Sequence, residues 1–487
     1  MAFNSLQYII FLLVVVTGYY LVPTRFVKLR NCFLLVASYY FYMQWNKVYI
    51  FLIVAVTLLT YLFGILVEKT SKLRKKLTGL CIVVAIVLLA YFKYMAMIFS
   101  YINVIITHVG FSEISIFNDI ILPVGISFFT LQSIGYVIDV YRGNVRAEHN
   151  FVIYALFVSF FPQLVAGPIE RAERLIAQIK EEHRFNYDKF RRGIYLLMYG
   201  LFLKMVIADG AAIIVDKIYA DYDTFSGMYI AVGTVFFLIQ LYCDFYGYST
   251  IARGSAQLLG IELMNNFDAP FWSLDVKEFW RRWHISLSGW FRDYLYFPLG
   301  GNRKGIFRGY INIMIVFLVS GLWHGASIAF VVWGGINGIY QIISDIWRRI
   351  CSKRLFDISM VANRMIKRLS TFMMIAFSMI FFRAGQFRTA ENMIKSMFSE
   401  LNFTIFFDNS LYELGVPQNQ FVVLILAIIV LLFLDYLKYK QIDVVGVILK
   451  QPYWFRLVCL VGLFVSIIIY GSYGVGFNAH QFVYFQF

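Results

Sequence analysis

The sequence predicts an all-α polytopic membrane protein, and three observations carry that prediction. The chain has 487 residues, of which 60% are hydrophobic and only 15% charged. Its mean hydropathy is +0.70, beyond the range of a soluble domain. Apolar runs recur along almost the whole length, and the basic residues gather in the short loops between them. About eleven to thirteen transmembrane or re-entrant helices follow from the run lengths.

In chain order the expected spans are 5–22, 31–44, 47–67, 77–98, 119–139, 151–166, 193–213 and 227–246. They continue with a close pair over 309–345, then 370–386, 419–437 and 454–472. Residues 1–22 carry neither a basic leader nor a small-residue cleavage site, so the first run is expected to remain as a helix. One domain is expected, with N-terminal helices over 1–118, a core over 119–345, C-terminal helices over 346–452, and a last helix with a tail over 453–487. No soluble segment is large enough to stand alone.

The net charge is +15, which raises the question of nucleic acid. The distribution answers it. The charge sits in TRFVKLR (24–30), EKTSKLRKK (68–76), the segment 169–192, GNRKGIFR (301–308) and WRRICSKR (347–354). Loops rich in Lys and Arg stay in the cytoplasm, so the charge reads as topology and not as a polyanion site. Alternation then places 24–30, 68–76 and 347–354 inside and both chain ends outside, provided 151–166 re-enters instead of crossing. The five cysteines (Cys32, Cys81, Cys243, Cys351, Cys459) form no close pairs; neither a metal site nor a disulfide framework is expected.

Residues 245–308 break the apolar pattern. The run FDAPFWSLDVKEFWRRWHISLSGWFRDYLYFPLGGNRKG holds four Trp, four Arg and His284, with Pro270 and Pro298 as breakers. Trp, Tyr and Arg suit an amphipathic helix lying at the interface. They equally suit a re-entrant element that lines a polar cavity, which a bilayer tolerates where protein buries it. Helical spacing would put Trp280 and His284 on one face. Arg281 and Arg282 are bracketed by Trp280 and Trp283, so no clean apolar face exists.

The second anomaly is SGLWHGAS (320–327), with His324 between Gly321 and Gly325 and flanked by apolar runs. A buried imidazole is costly, and intramembrane ionisable groups are functional candidates by default. The bland alternative is a satisfied packing residue. The glycines would let another chain or a ligand approach, and a neutral imidazole there can accept a proton in acyl transfer. The third anomaly is the aromatic tail SYGVGFNAHQFVYFQF (472–487), too short to span. It reads either as a plug or as a segment that brings Tyr484 to the interior.

No G-x-S-x-G elbow, Walker loop or H-E-x-x-H motif is present. No carboxylate pair is seen within a span, as many proton-coupled transporters need. A transporter or flippase remains the rival class, and a scaffold for an extracytoplasmic polymer machine a third reading.

WRRWHISLSGWFRDYLYFPLGGNR, followed some forty residues on by SGLWHG, resembles the membrane-bound O-acyltransferase (MBOAT) superfamily. LYCDFYGYSTIARGSAQLLGI, FPQLVAGPIERA and PVGISFFTLQSIGYVIDVYRG narrow the resemblance to the bacterial branch of alginate and peptidoglycan O-acetyltransferase membrane components and teichoic-acid D-alanyl transfer proteins. The resemblance implies a multi-pass protein of the bacterial cell membrane, built as a helical bundle around a transmembrane tunnel. His324 takes the place of the central WHG histidine and His284 that of the histidine in the WRRWH motif. The closing FVYFQF is similar to the branch's aromatic C-terminal motif, with Tyr484 at the tyrosine thought to receive the acyl group.

A tail of this kind on the same chain favours acetyl transfer over D-alanyl transfer to teichoic acid. The donor expected is acetyl-CoA or an acyl-carrier thioester, drawn to a basic mouth with Arg281, Arg282 and Lys304. Trp280, Arg281, Trp283 and Trp323 are the expected substrate-binding residues. No metal or permanently bound cofactor is expected. The longest outward loop, about 388–418, is too small to hold a polysaccharide, so an extracytoplasmic acetyltransferase or esterase-like partner is expected, with lipid around the bundle and no nucleic acid.

Overall fold

The computed structural model describes residues 1–110, 112, 122–165, 167–351, 360–473 and 482–483, and these fold almost wholly as helices. Among them eight helices are long and apolar enough to cross a membrane, and Leu6–Leu21 is a shorter apolar helix. By contact the chain divides into two compact units. The first comprises Met1–Gly193 with Ala252–Met264, the second Ile194–Ile251 with Asn265–Phe487.

The first unit contains α1 (Leu6–Leu21), α2 (Val27–Met43), α3 (Ile50–Lys69), α4 (Arg74–His108), α5 (Ile126–Arg142), α6 (Phe151–Ser159), α7 (Phe161–Leu164) and α8 (Ala172–Lys180). Small and hydroxyl residues let its helices meet closely. A Cβ on Gly64 would stand 2.7 Å from the Tyr136 ring, so only glycine admits α5 against α3 here. The Tyr154 hydroxyl donates to Thr60 Oγ1 at 2.7 Å, linking α6 to α3.

The apolar run 151–166 is broken. Asn150 caps α6 by accepting from Val152 N and Ile153 N. The helix lasts nine residues before the backbone turns at Phe160. Nine residues are far short of the roughly 20 a span needs. The Phe157 carbonyl, left over at the break, accepts from both Gln132 Nε2 and Gln163 Nε2 at 2.6 Å. That satisfaction is what allows irregular backbone among apolar surroundings.

Just beyond the break lies Glu170, 2% exposed. Its amide donates to Gln132 Oε1 and its Oε1 accepts from Met264 N. Burial raises its carboxyl to about 7, against the lowering influence of the Met264 N–H and of Arg174, Arg253 and Arg171.

In the second unit α9 (Tyr187–Phe202) passes through a π-helical stretch, Leu203–Ala208, into α10 (Asp209–Ala220). Next come α11 (Met228–Leu258), α12 (Val276–Arg282) and α13 (Ile285–Phe291), then a second π-helical stretch, Arg292–Tyr296. The hairpin α14 (Ile306–His324) and α15 (Ile328–Cys351) is followed by α16 (Met360–Ala384), α17 (Phe387–Ser399), α18 (Gln418–Tyr439), α19 (Val444–Lys450) and α20 (Tyr453–Tyr470). Helices α9 and α11 each supply residues to both units. Residues such as Val458, Phe464 and Ile469 on α20 are exposed, the surface expected of a helix finished by lipid.

The hairpin is the tightest feature near the site. A Cβ on Gly321 would lie 2.2 Å from Phe330 O, and one on Gly334 2.2 Å from Phe317 O. Backbone therefore meets backbone, the arrangement small residues permit between helices in a membrane.

Candidate active site

His324 ends α14 and is 7% exposed. Three aromatic rings wall it: Trp323 at 4.9 Å, Trp333 of α15 at 5.1 Å and Phe382 of α16 at 5.4 Å between centroids. All three meet it edge to face, the favoured geometry for aromatic pairs. The chain leaves the helix through Gly325 in extended conformation. A Cβ on Gly325 would stand 2.1 Å from the Phe330 ring. The glycines beside His324 thus admit residues of the protein's own α15, not another chain or a ligand as their spacing suggested.

His284 is reached differently. The expectation of one helix carrying Trp280 and His284 on a shared face is overturned: α12 ends at Arg282 and α13 begins at Ile285. His284 occupies the gap in left-handed conformation, φ 46° and ψ 54°. A side chain there costs about 1–2 kcal/mol, and the neighbours hold it in place. Ile285 N donates to Asn266 O at 2.8 Å, and Asp268 N to Arg282 O at 2.9 Å. The Ser286 hydroxyl donates to Asn266 Oδ1 at 2.6 Å. Strain that the surroundings over-determine is a mark of functional positions. Burial pushes the imidazolium down to about 3, so the ring is neutral near pH 7 and offers one N–H donor and one acceptor.

The two histidines, forty residues apart in sequence, meet at one indole. Trp323 lies 4.9 Å from His324 and 6.3 Å from His284. Trp280 extends the same wall, 5.7 Å from Trp333 and 5.6 Å from Phe317. The edge of Phe245 on α11 contacts His284 at 4.6 Å. Of the expected binding residues, Trp280 and Trp323 therefore gather at the histidines. Trp283 packs instead among Phe279, Tyr242 and Phe267, and Arg281 is exposed. Arg282, expected at the donor mouth, is committed to Asp268 at 3.0 Å and Glu278 at 2.9 Å and stacks on Tyr439. Tyr484 lies outside the described residues.

One feature goes beyond the expected absence of a carboxylate pair within a single span. Two carboxylates from different helices share one lysine inside the apolar bundle: Lys204 Nζ lies 2.6 Å from Asp244 and 2.8 Å from Asp209. The pairing was missed because the two carboxylates come from different helices. Its signal was a lysine and aspartates inside apolar runs. Among the described residues no group of three or more His, Cys, Asp or Glu could hold a metal ion.

Two buried imidazoles in an aromatic enclosure suit proton transfer and oxyanion stabilisation at a carbonyl. Comparison with known proteins identifies the family. The family model described as "MBOAT, membrane-bound O-acyltransferase family" matches residues 3–384. The probable alginate O-acetylase of Azotobacter vinelandii is 38% identical over 437 residues, 88% of this chain and 84% of that protein. The peptidoglycan O-acetyltransferase of Helicobacter pylori is 34% identical over 392 residues, covering 75% and 73%. The teichoic acid D-alanyltransferase of Streptococcus thermophilus is 31% identical over 242 residues, covering 46% and 57%. The chain is a multi-pass membrane enzyme, an O-acyltransferase, and belongs to the membrane-bound O-acyltransferase family.

Proposed function

We propose that the protein transfers an acetyl group from a cytoplasmic thioester, acetyl-CoA or an acyl carrier, for O-acetylation of an extracytoplasmic envelope or exopolysaccharide polymer. The observation that carries the reading is the pair of buried histidines sharing Trp323. Similarity to alginate and peptidoglycan O-acetylating proteins over most of the chain supports the choice of acetyl.

In this reading the Tyr484 oxygen attacks the thioester carbonyl and His324 takes the phenolic proton. His284, as a neutral donor, steadies the tetrahedral oxyanion. The C–S bond then breaks and the thiolate leaves, recovering the proton. The product is an aryl ester. Because a phenol with pKa near 10 leaves more readily than an alcohol, the acetyl group stays activated for the acceptor hydroxyl, and one hard transfer becomes two easier ones. The aromatic walls exclude water that would hydrolyse it. An extracytoplasmic partner protein completes transfer to the polymer.

Tyr484→Phe removes one oxygen and keeps the ring, so it separates chemistry from docking. The variant is expected to fold and to transfer essentially no acetyl group. Wild-type protein given donor without acceptor should carry an acetyl group on its C-terminal peptide, removable by mild hydroxylamine and visible by mass spectrometry. A fully active Tyr484→Phe protein would leave the tail as a plug.

A further inference from the structure

The ion cluster of the second unit has a geometry that the transfer chemistry does not use. Lys204 and Asp244 are each 2% exposed, and their meeting is built by a close helix crossing. A Cβ on Gly200 would lie 2.7 Å from Gly247 O, and one on Gly247 2.9 Å from Gly200 O. Lys204 follows Gly200 by one turn and Asp244 precedes Gly247 by about one turn. The glycines therefore bring the ammonium and the carboxylate into contact. Lys204 is already shared with Asp209, so two carboxylates divide one ammonium.

Asp244 turns its other oxygen to the chain terminus. Oδ2 accepts from the backbone N–H of Val483 at 2.8 Å. Phe482, fully buried, packs its ring 4.3 Å from Tyr248 and 6.0 Å from Phe245. Phe245 is also the ring that touches His284. The start of the tail is tied to the same region, since Ser472 N donates to Met205 O at 3.0 Å. Met205 belongs to the π-helical stretch that contains Lys204, and such stretches occur often at functional sites.

We propose that Asp244, oriented by Lys204, is a positioning residue that holds the C-terminal segment inside the second unit through its backbone. The contact reads no side chain: a carboxylate accepts a main-chain N–H, a charge-assisted bond stronger than a neutral one. Val483 immediately precedes Tyr484 in the sequence. The consequence for acyl transfer rests on the relay proposed above, whereas the docking stands without it.

The test uses the full-length protein in detergent and reads trimming of its C-terminus by a carboxypeptidase, followed by mass spectrometry. Val483→Pro deletes the donating N–H without touching a spanning helix, and Val483→Ala retains it. Wild type and Val483→Ala are expected to resist trimming, and Val483→Pro and Asp244→Ala to be trimmed at least tenfold faster. The double variant should be no faster than either single one. If Val483→Pro stays as resistant as wild type, the proposal is overturned. It is also overturned if a folded Asp244→Ala protein is as resistant as wild type. Should Asp244→Ala fail to fold, the proline variant decides alone. Tyr484→Phe, assayed in parallel, should remain resistant to trimming. Its transfer activity tests the relay and its resistance tests the docking, so either can fail without the other.

Discussion

His324 closes a regular nineteen-residue helix, whereas His284 sits in the gap between two seven-residue ones. The first is placed by packing: glycines let α15 press against its helix, and three rings fix the imidazole. The second is placed by hydrogen bonds that hold an unfavourable backbone angle, with Asn266 as the clasp. Two solutions to one problem imply two modes of failure. Damage near His324 should act through its own chemistry, and damage near His284 should act also through residues that never meet substrate.

Of the two histidines, loss of His324 has the larger expected effect. His324→Ala should lower acyl transfer by at least about 10³-fold if it is the general base, with the thermal transition nearly unchanged, since the surrounding rings pack on one another. Donor turnover measured with acceptor present checks this. A folded variant with near-normal turnover would return His324 to a packing role. His284→Ala should cost about 10²-fold, the size of losing one oxyanion donor, and leave measurable residual transfer. Unchanged activity would leave His284 a packing residue.

Asn266→Ala sharpens the contrast. It removes the Oδ1 acceptor of Ser286 but leaves the imidazole in place. About a tenfold loss of transfer is expected, and the loss should vanish when the same change is made in the His284→Ala background. Additive losses in the double variant would mean that Asn266 acts on the fold and not through His284.

The same division explains what the sequence made legible. The α14–α15 pair over 309–345, with His324 at its bend, follows from apolar run lengths and glycine placement, which are local signals, whereas the re-entry of 151–166 is asked for by the alternation of basic loops. The helix break at His284 was not legible. Spacing alone placed Trp280 and His284 on one face, and the residue that breaks the helix is held by Asn266, eighteen positions earlier. Lys204, Asp209 and Asp244 were visible one by one as charges in apolar runs. Their meeting depends on the Gly200–Gly247 crossing, a tertiary contact that no periodicity encodes.

The smallest effect concerns pH, and it sets one unit's buried acid beside the other's buried base. Burial keeps both groups neutral, but their linkage signs are opposite. The His284 imidazole is held down to about 3 while the unfolded chain binds its proton near 6.5. Its contribution to stability is therefore lost as pH falls from about 6.5 toward 3. The Glu170 carboxyl is held up to about 7 from an ordinary 4.5. The folded form keeps its proton longer, so the contribution is full below 4.5 and is lost as pH rises through about 7. Glu170→Gln cannot ionise and can still accept from Met264 N. At pH 5 the variant should melt close to wild type, and at pH 8 it should melt higher, by an amount on the order of 1 kcal/mol. Thermal unfolding in detergent across this window measures the difference. A gap that is constant from pH 5 to 8 would mean that Glu170 is ionised throughout, and that its arginine neighbours outweigh burial.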